Sequence, residues 1–221
     1  MLFRSSALAI SASNPDILYA GTGNSDLSFT SRTGVGVLKS VDGGKTWSLL
    51  PETRFKGGRI TKIAIDDRNV NRVYVTVADH PTAAPGVYRT TDGGLTWRNV
   101  LDPTKMFLAD GTPLGSGANL GSVTDLIIDR LSFNNQNIFV FLGNVGLRAE
   151  SDAGGVWKSP NHGDTWFQMA GGADPSIPNN TLPTGTTVGN VSIAMPTLRQ
   201  GDEEIIYAFI SNPIPFNSTF D

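Results

Sequence analysis

A twelve-residue block written three times constrains this chain more than anything else in it. It reads Gly-Val-Leu-Lys-Ser-Val-Asp-Gly-Gly-Lys-Thr-Trp at 36-47, Gly-Val-Tyr-Arg-Thr-Thr-Asp-Gly-Gly-Leu-Thr-Trp at 86-97 and Gly-Val-Trp-Lys-Ser-Pro-Asn-His-Gly-Asp-Thr-Trp at 155-166. Gly36 to Gly86 and Trp47 to Trp97 each span 50 residues, and Gly86 to Gly155 and Trp97 to Trp166 each span 69. The block keeps its length while the spacers change theirs, so the chain is a repeat architecture built of one recurring unit.

Each block reads as a strand, a tight hairpin and the start of the next strand. Residues 37-40 alternate with the period of two expected of a half-buried strand. Asp42-Gly43-Gly44 is a hairpin signal, because glycine reaches positive φ without steric cost and a turn Asp accepts backbone N–H bonds. Thr46 is placed to bond back across the turn, and Trp47 to fold over it. A weaker repeat precedes each block: 8-10 with 17-24, 63-65 with 72-79, and 126-128 with 137-144. A fourth copy is 192-194 with 205-212. β-branched and aromatic residues dominate these pairs. Each full unit therefore has four strands, here termed A to D from the inside outward.

Four-stranded units recurring every 50 to 70 residues predict an all-β fold, a β-propeller segment of four-stranded antiparallel blades. The units fall at about 6-51, 59-101 and 123-169, with a partial fourth at 190-212. About three and a half blades make an incomplete ring, since propellers have about four to eight. The expectation is one propeller segment over 1-221, a fragment of a longer protein. Its partners are then the remaining blades, or further copies of itself.

The blocks resemble the Asp-box, or BNR repeat, of pattern Ser/Thr-x-Asp-x-Gly-x-Thr-Trp. Ser40, Asp42, Gly44, Thr46 and Trp47 match it at every position, as do Thr90, Asp92, Gly94, Thr96 and Trp97. Ser159, Asn161, Gly163, Thr165 and Trp166 depart once, with Asn161 for Asp. Families carrying this repeat include sialidases, xyloglucan-cleaving and related glycoside hydrolases, sortilin-type receptors and a photosystem II assembly factor. The wording of the blocks looks most like bacterial xyloglucanase-like and sortilin-like repeat proteins. Sialidases add an Arg-Ile-Pro motif, whereas Arg59-Ile60 is followed here by Thr61; sortilins add a cysteine-rich module, and this chain has no Cys. The resemblance implies an extracellular or periplasmic full-length protein. An Asp-box aspartate read as catalytic or calcium-binding would need a substrate or metal at every copy. One copy has lost its carboxylate, and Lys45 and Leu95 at the variable position share no chemistry, so the block is read as a structural turn staple.

Composition narrows the function further. Seventeen Lys+Arg against twenty Asp+Glu, a formal net charge of −3, give no basic footprint for nucleic acid and no charge run for an anionic membrane. Without Cys there is no disulfide framework, thiolate metal site or thiol nucleophile. Met1 to Arg4 lack a signal-peptide pattern, and no apolar run reaches membrane-spanning length. No metal or cofactor motif is present; His80 and His162 fall on opposite ends of the units.

Strand parity locates the end that can bind. A-to-B and C-to-D turns share one end, and the longer B-to-C loops and inter-unit crossovers share the other, where binding usually lives. One position there repeats, five residues beyond the strand-B aromatic: Asn24, Asp79, Asn144 and Asn212. They form either a polar ring suited to sugar hydroxyls or a set of strand-ending caps. Glycoside hydrolysis needs two carboxyl groups about 5 to 10 Å apart. Of Asp26, Asp79, Asp110, Asp125 and Asp152 on that end, Asp125 is the catalytic candidate, since it lies on inner strand A; no partner stands out. In the 102-110 insertion, Met106, Phe107 and Leu108 are read either as a sugar-stacking platform or as packing beneath their own loop. Two functions follow: a non-catalytic segment that binds a glycan or protein through its loop-rich end, or part of a glycoside hydrolase acting on polysaccharide.

Overall fold

Alternating apolar and polar residues build four antiparallel sheets, one per repeat, in the computed structural model of the chain, which describes residues 5–23, 33–80, 84–143, 151–171, 191–195 and 206–210. The first sheet has the order β1 (Ser5–Ile10), β2 (Leu18–Thr22), β3 (Val37–Ser40), β4 (Ser48–Leu49). The second has β5 (Arg59–Asp66), β6 (Asn69–Asp79), β7 (Gly86–Thr90), β8 (Arg98–Asn99). The third runs β10 (Ser122–Ile128), β11 (Ile138–Gly143), β12 (Gly155–Ser159), β13 (Trp166–Ala170). It gains a fifth strand at its outer edge, β9 (Met106–Phe107), parallel to β13. The fourth is the pair β14 (Val191–Ala194) and β15 (Tyr207–Ile210). The fold is all-β, a partial propeller, and its described sheets do not close a ring.

Cross-strand registers put equivalent residues in matching rows. Leu8, Ala20, Leu38 and Leu49 are successive partners across the first sheet. Ile63, Val75, Tyr88 and Asn99 form the same row in the second. Leu126, Val140, Trp157 and Gln168 form it in the third, and Ile193 and Ala208 begin it in the fourth. We call this the front row. The neighbouring residues, one step along each strand, point to the back, as the period of two requires. Tyr19, Tyr74, Phe139 and Tyr207 are the strand-B members of that back row.

The apolar core lies between sheets. Tyr19 and Val37 of the first pack with Ile63, Ile65, Val75 and Tyr88 of the second. Tyr74 and Val87 of the second pack with Leu126, Ile128, Val140 and Trp157 of the third. Phe139, Phe141 and Val156 of the third pack with Val191 and Ile193 of the fourth. Gly21 is needed for the first contact, because a Cβ there would lie 2.4 Å from Ile60 Cγ2.

The insertion after β8 becomes structure. Asp102 caps a 3-10 helix at Pro103–Lys105 through Thr104, and β9 follows at once. Met106 is fully buried in the core between the second and third sheets, and Phe107 stacks on Phe167 with ring centroids 5.6 Å apart. These side chains pack on the third sheet and seat the insertion against it.

Candidate functional site at the loop-rich end

The repeated turns occupy one end of the sheets, and their polar atoms are turned inward on one another. Asp42 accepts from the Thr46 N–H at 2.9 Å, the Thr46 hydroxyl at 2.5 Å and the Ser40 hydroxyl at 2.8 Å. Those bonds, the Thr46 hydroxyl foremost, hold its carboxyl down at about 2. Asp92 accepts the corresponding bonds from Thr96 and Thr90, with one more from the Leu95 N–H, and lies lower still. Gly44, Gly94 and Gly163 take φ of +86°, +101° and +96°, which L-residues with a side chain rarely adopt.

In the third turn, Asn161 reproduces the pattern without a charge. Its carbonyl accepts from the Thr165 N–H and the Ser159 hydroxyl, and its amide donates to the Thr165 hydroxyl at 2.9 Å. The threonine hydroxyl has changed from donor to acceptor. The tryptophans differ in reach: Trp47 and Trp97 donate to Gly44 and Gly94 within their own turns, whereas Trp166 donates to the Val100 carbonyl of the preceding sheet.

A charged cluster fastens the second and third sheets at this end. Arg72 bonds Asp66 at 2.8 Å and His162 Nδ1 at 3.3 Å, and Arg89 donates to the His162 carbonyl. Asp164 pairs with Arg98 at 2.6 Å and Arg89 at 3.2 Å. Burial, and then the Arg72 charge, push the His162 imidazole below its ordinary value. His80 sits at the other end of β6 with Nε2 2.8 Å from the Lys56 carbonyl. Among the described residues no three His, Cys, Asp or Glu are grouped so as to hold a metal.

Asp125 lies in β10 and is buried. One oxygen is 2.9 Å from Lys62 Nζ of the second sheet, and the other accepts from Ile193 N–H at 2.8 Å and Ser192 hydroxyl at 3.3 Å of the fourth. The carboxylate thus joins three inner strands, a link that the sequence does not announce because its partners lie in neighbouring repeats. A trough of ≈ 620 Å³ runs along those inner strands, lined by Ile10, Lys62, Ala64, Ile127 and Ala194 among others.

At the loop-rich end the described residues form a cleft of ≈ 470 Å³ between the second and third sheets. Ala84 and Pro85 enter from the segment before β7, Asn99 to Pro103 from the end of β8, and Ala118 to Gly121 from the crossover into β10. Asn119 is clipped to the third sheet's own loop: its N–H donates to Asp152 at 2.8 Å, and its carbonyl accepts the Asp152 N–H at 2.8 Å. Asp102 is the one carboxylate among the lining residues, and its oxygen is taken by the Thr104 N–H and hydroxyl, which lower its carboxyl below the usual range. Of the four repeated polar positions, Asn24, Asn144 and Asn212 lie outside the described residues. Asp79 is described in its backbone, paired with Arg59 at the end of β6, which is the same loop-rich end. Sequence reasoning did not single out Asn99, Leu101 or Asn119, since the cleft draws on three separate segments.

No protein-family model matches the sequence, and no curated protein matches it. Solved structures do. An ancestral GH74 enzyme is 21% identical over 94% of this chain and 24% of its own, with a TM-score of 0.51. The GH74 xyloglucanase from Xanthomonas campestris is 19% identical over 92% of this chain and 28% of its own, with a TM-score of 0.47. YCF48 from Cyanidioschyzon merolae is 17% identical over 76% of this chain and 37% of its own, with a TM-score of 0.44. The chain thus spans about a quarter of the length of the two GH74 proteins. At these identities the likeness is one of fold: four-stranded sheets set side by side as in a β-propeller.

Proposed function

We propose that the chain is a non-catalytic Asp-box propeller segment that binds a glycan through its loop-rich end, as part of a larger extracellular or periplasmic protein. The observation that carries this reading is the chemistry of the cleft between the second and third sheets. It offers the apolar faces of Pro85, Leu101 and Leu120 beside the amides of Asn99 and Asn119, a lining suited to the C–H face and hydroxyls of a sugar. Its one lining carboxylate caps a turn, whereas hydrolysis of a glycosidic bond needs two carboxyl groups facing each other across it. On this reading Asn24, Asp79, Asn144 and Asn212 extend the polar surface around the same end, and the repeated turns at the opposite end serve the fold.

The second reading makes the chain part of a glycoside hydrolase with Asp125 as its acid or base. It is favoured by the place of Asp125 on an inner strand, beside the trough. Against it stand the three partners that already hold that carboxylate.

Calorimetric titration with xyloglucan oligosaccharides, the probe suggested by the resemblance of the blocks, tests the proposal. Binding to the chain, its loss in Asn99→Ala and Asn119→Ala, and no release of reducing ends are expected. Hydrolysis abolished by Asp125→Asn at unchanged melting temperature would establish the second reading instead. Heat identical in the wild type and both Asn variants would remove the cleft as the site.

A further inference from the structure

The front and back rows obey one rule at every junction, and the rule is left unfulfilled at the two ends of the stack. The front-row Ile63, Leu126 and Ile193 are buried against the sheet before them, as are Ile65 and Ile128 one pair further along. Their counterparts in the first sheet, Leu8 and Ile10, are 63% and 57% exposed. Leu49 and Trp47 are uncovered on the same sheet. The back-row Tyr19, Tyr74 and Phe139 are buried against the sheet after them. Their counterpart in the fourth sheet, Tyr207, is 64% exposed, and Phe209 beside it is 78% exposed, where its equivalent Phe141 is buried.

The polar contacts follow the same rule. The hydroxyl of Tyr19 donates to the Gly93 carbonyl in the next sheet's turn at 3.0 Å, and that of Tyr74 to the His162 carbonyl at 3.4 Å. A back-row cation joins each: Lys39 at 2.7 Å from the Gly93 carbonyl and Arg89 at 2.7 Å from the His162 carbonyl. The residue that holds this position in the first turn is Gly43, which is exposed. One end of the stack thus presents the acceptor and the apolar front row, and the other presents the tyrosine and the apolar back row.

We propose that these two faces bind each other between molecules: the back of the fourth sheet docks on the front of the first sheet in a second copy of this chain, head to tail. Leu8 and Ile10 then cover Tyr207 and Phe209, and the Tyr207 hydroxyl donates to the partner copy's Gly43 carbonyl. The contact is heterologous, so each copy keeps one face of each kind for a further neighbour. Two copies joined at both ends would set about eight sheets round one axis, within the range of about four to eight that closed propellers use. The interface continues a packing pattern that the molecule already repeats three times within itself, and it is independent of the glycan cleft.

Paired charge variants test the geometry. Leu8→Asp spoils only the front face and Phe209→Asp only the back face; both positions are exposed, and the melting temperature of each variant checks that it folds. Measured by light scattering after gel filtration, the wild-type chain is expected at twice the mass of one chain or more, and each variant alone at the mass of one chain. An equimolar mixture should return to twofold mass, because the intact back face of Leu8→Asp meets the intact front face of Phe209→Asp. A wild-type chain that stays at single mass overturns the proposal. So does a single variant that keeps its twofold mass, since that result requires like faces to pair.

Discussion

At the scale of single residues, the third turn teaches what the other two are for. Asn161 cannot ionise, yet it holds the same N–H and the same two hydroxyls as Asp42 and Asp92 do. Asp92→Asn is therefore expected to leave the melting temperature close to that of the wild type. Asp92→Ala should lower stability by roughly 1 kcal/mol, the usual net value of a side-chain hydrogen bond at a turn or cap. Thermal unfolding of the two variants checks this; a similar loss in both would mean that the charge itself matters. His162 provides the pH dependence. Its folded value is depressed, so between that value and 6.5 the unfolded chain binds more protons than the folded one. Stability must therefore fall as pH drops below about 6.5. The first two turns carry Gly43 and Gly93 at this position, and His162 itself has φ of +60°. His162→Gly should accordingly flatten the stability curve between about pH 6.5 and 5, read by urea denaturation across that window. An unchanged slope would assign the dependence to another group. Asp42 acts in a different window: with its folded value near 2, its contribution is present above the ordinary carboxylate range and is lost as pH falls through that value.

At the scale of elements, the tryptophans that end the three blocks are identical in sequence and unequal in load. Trp166 is fully buried and ties the third sheet to Val100 of the second, so Trp166→Ala should cost about 3–5 kcal/mol, the usual range for a large aromatic lost from a core. Trp47 is 37% exposed and bonds only its own turn, and Trp47→Ala should cost clearly less. Chemical denaturation of the pair decides; equal losses would mean that the turn, and not the junction between sheets, uses the ring. The same contrast explains what the sequence discloses. Strand pairs were legible because the period of two is local and the block repeats its turn chemistry residue for residue. The fifth strand of the third sheet was not, because Met106 is buried by tertiary packing that no periodicity marks. Asp125 was visible as a carboxylate on an inner strand, but its partners Lys62, Ser192 and Ile193 come from other repeats. The cleft was hidden for the same reason: Pro85, Asn99 and Asn119 lie in three segments that only the assembled sheets bring together.

At the scale of the whole molecule, each sheet packs mainly on its neighbours, so stability is graded along the stack. The second and third sheets are covered on both faces, the first and fourth on one. Native-state hydrogen exchange should show the strongest protection in β6 and β11, less in β2, and the least in β15, whose pair is a lone hairpin. Asp125→Ala, by releasing Ile193, should speed exchange in β14 and β15 further while leaving β6 as it was. Uniform protection across all four sheets would show a single cooperative unit and contradict the gradient.

The unequal burial of the tryptophans also gives the molecule an optical readout of its own. All four are accounted for: Trp97, Trp157 and Trp166 are enclosed, and Trp47 stands at the open front of the stack. Emission at the red edge of the spectrum, and the fraction quenched by iodide, therefore report on Trp47 almost alone. Whatever settles on that face shifts the emission to the blue and shields it from the quencher, so occupancy can be followed in real time without attaching a dye.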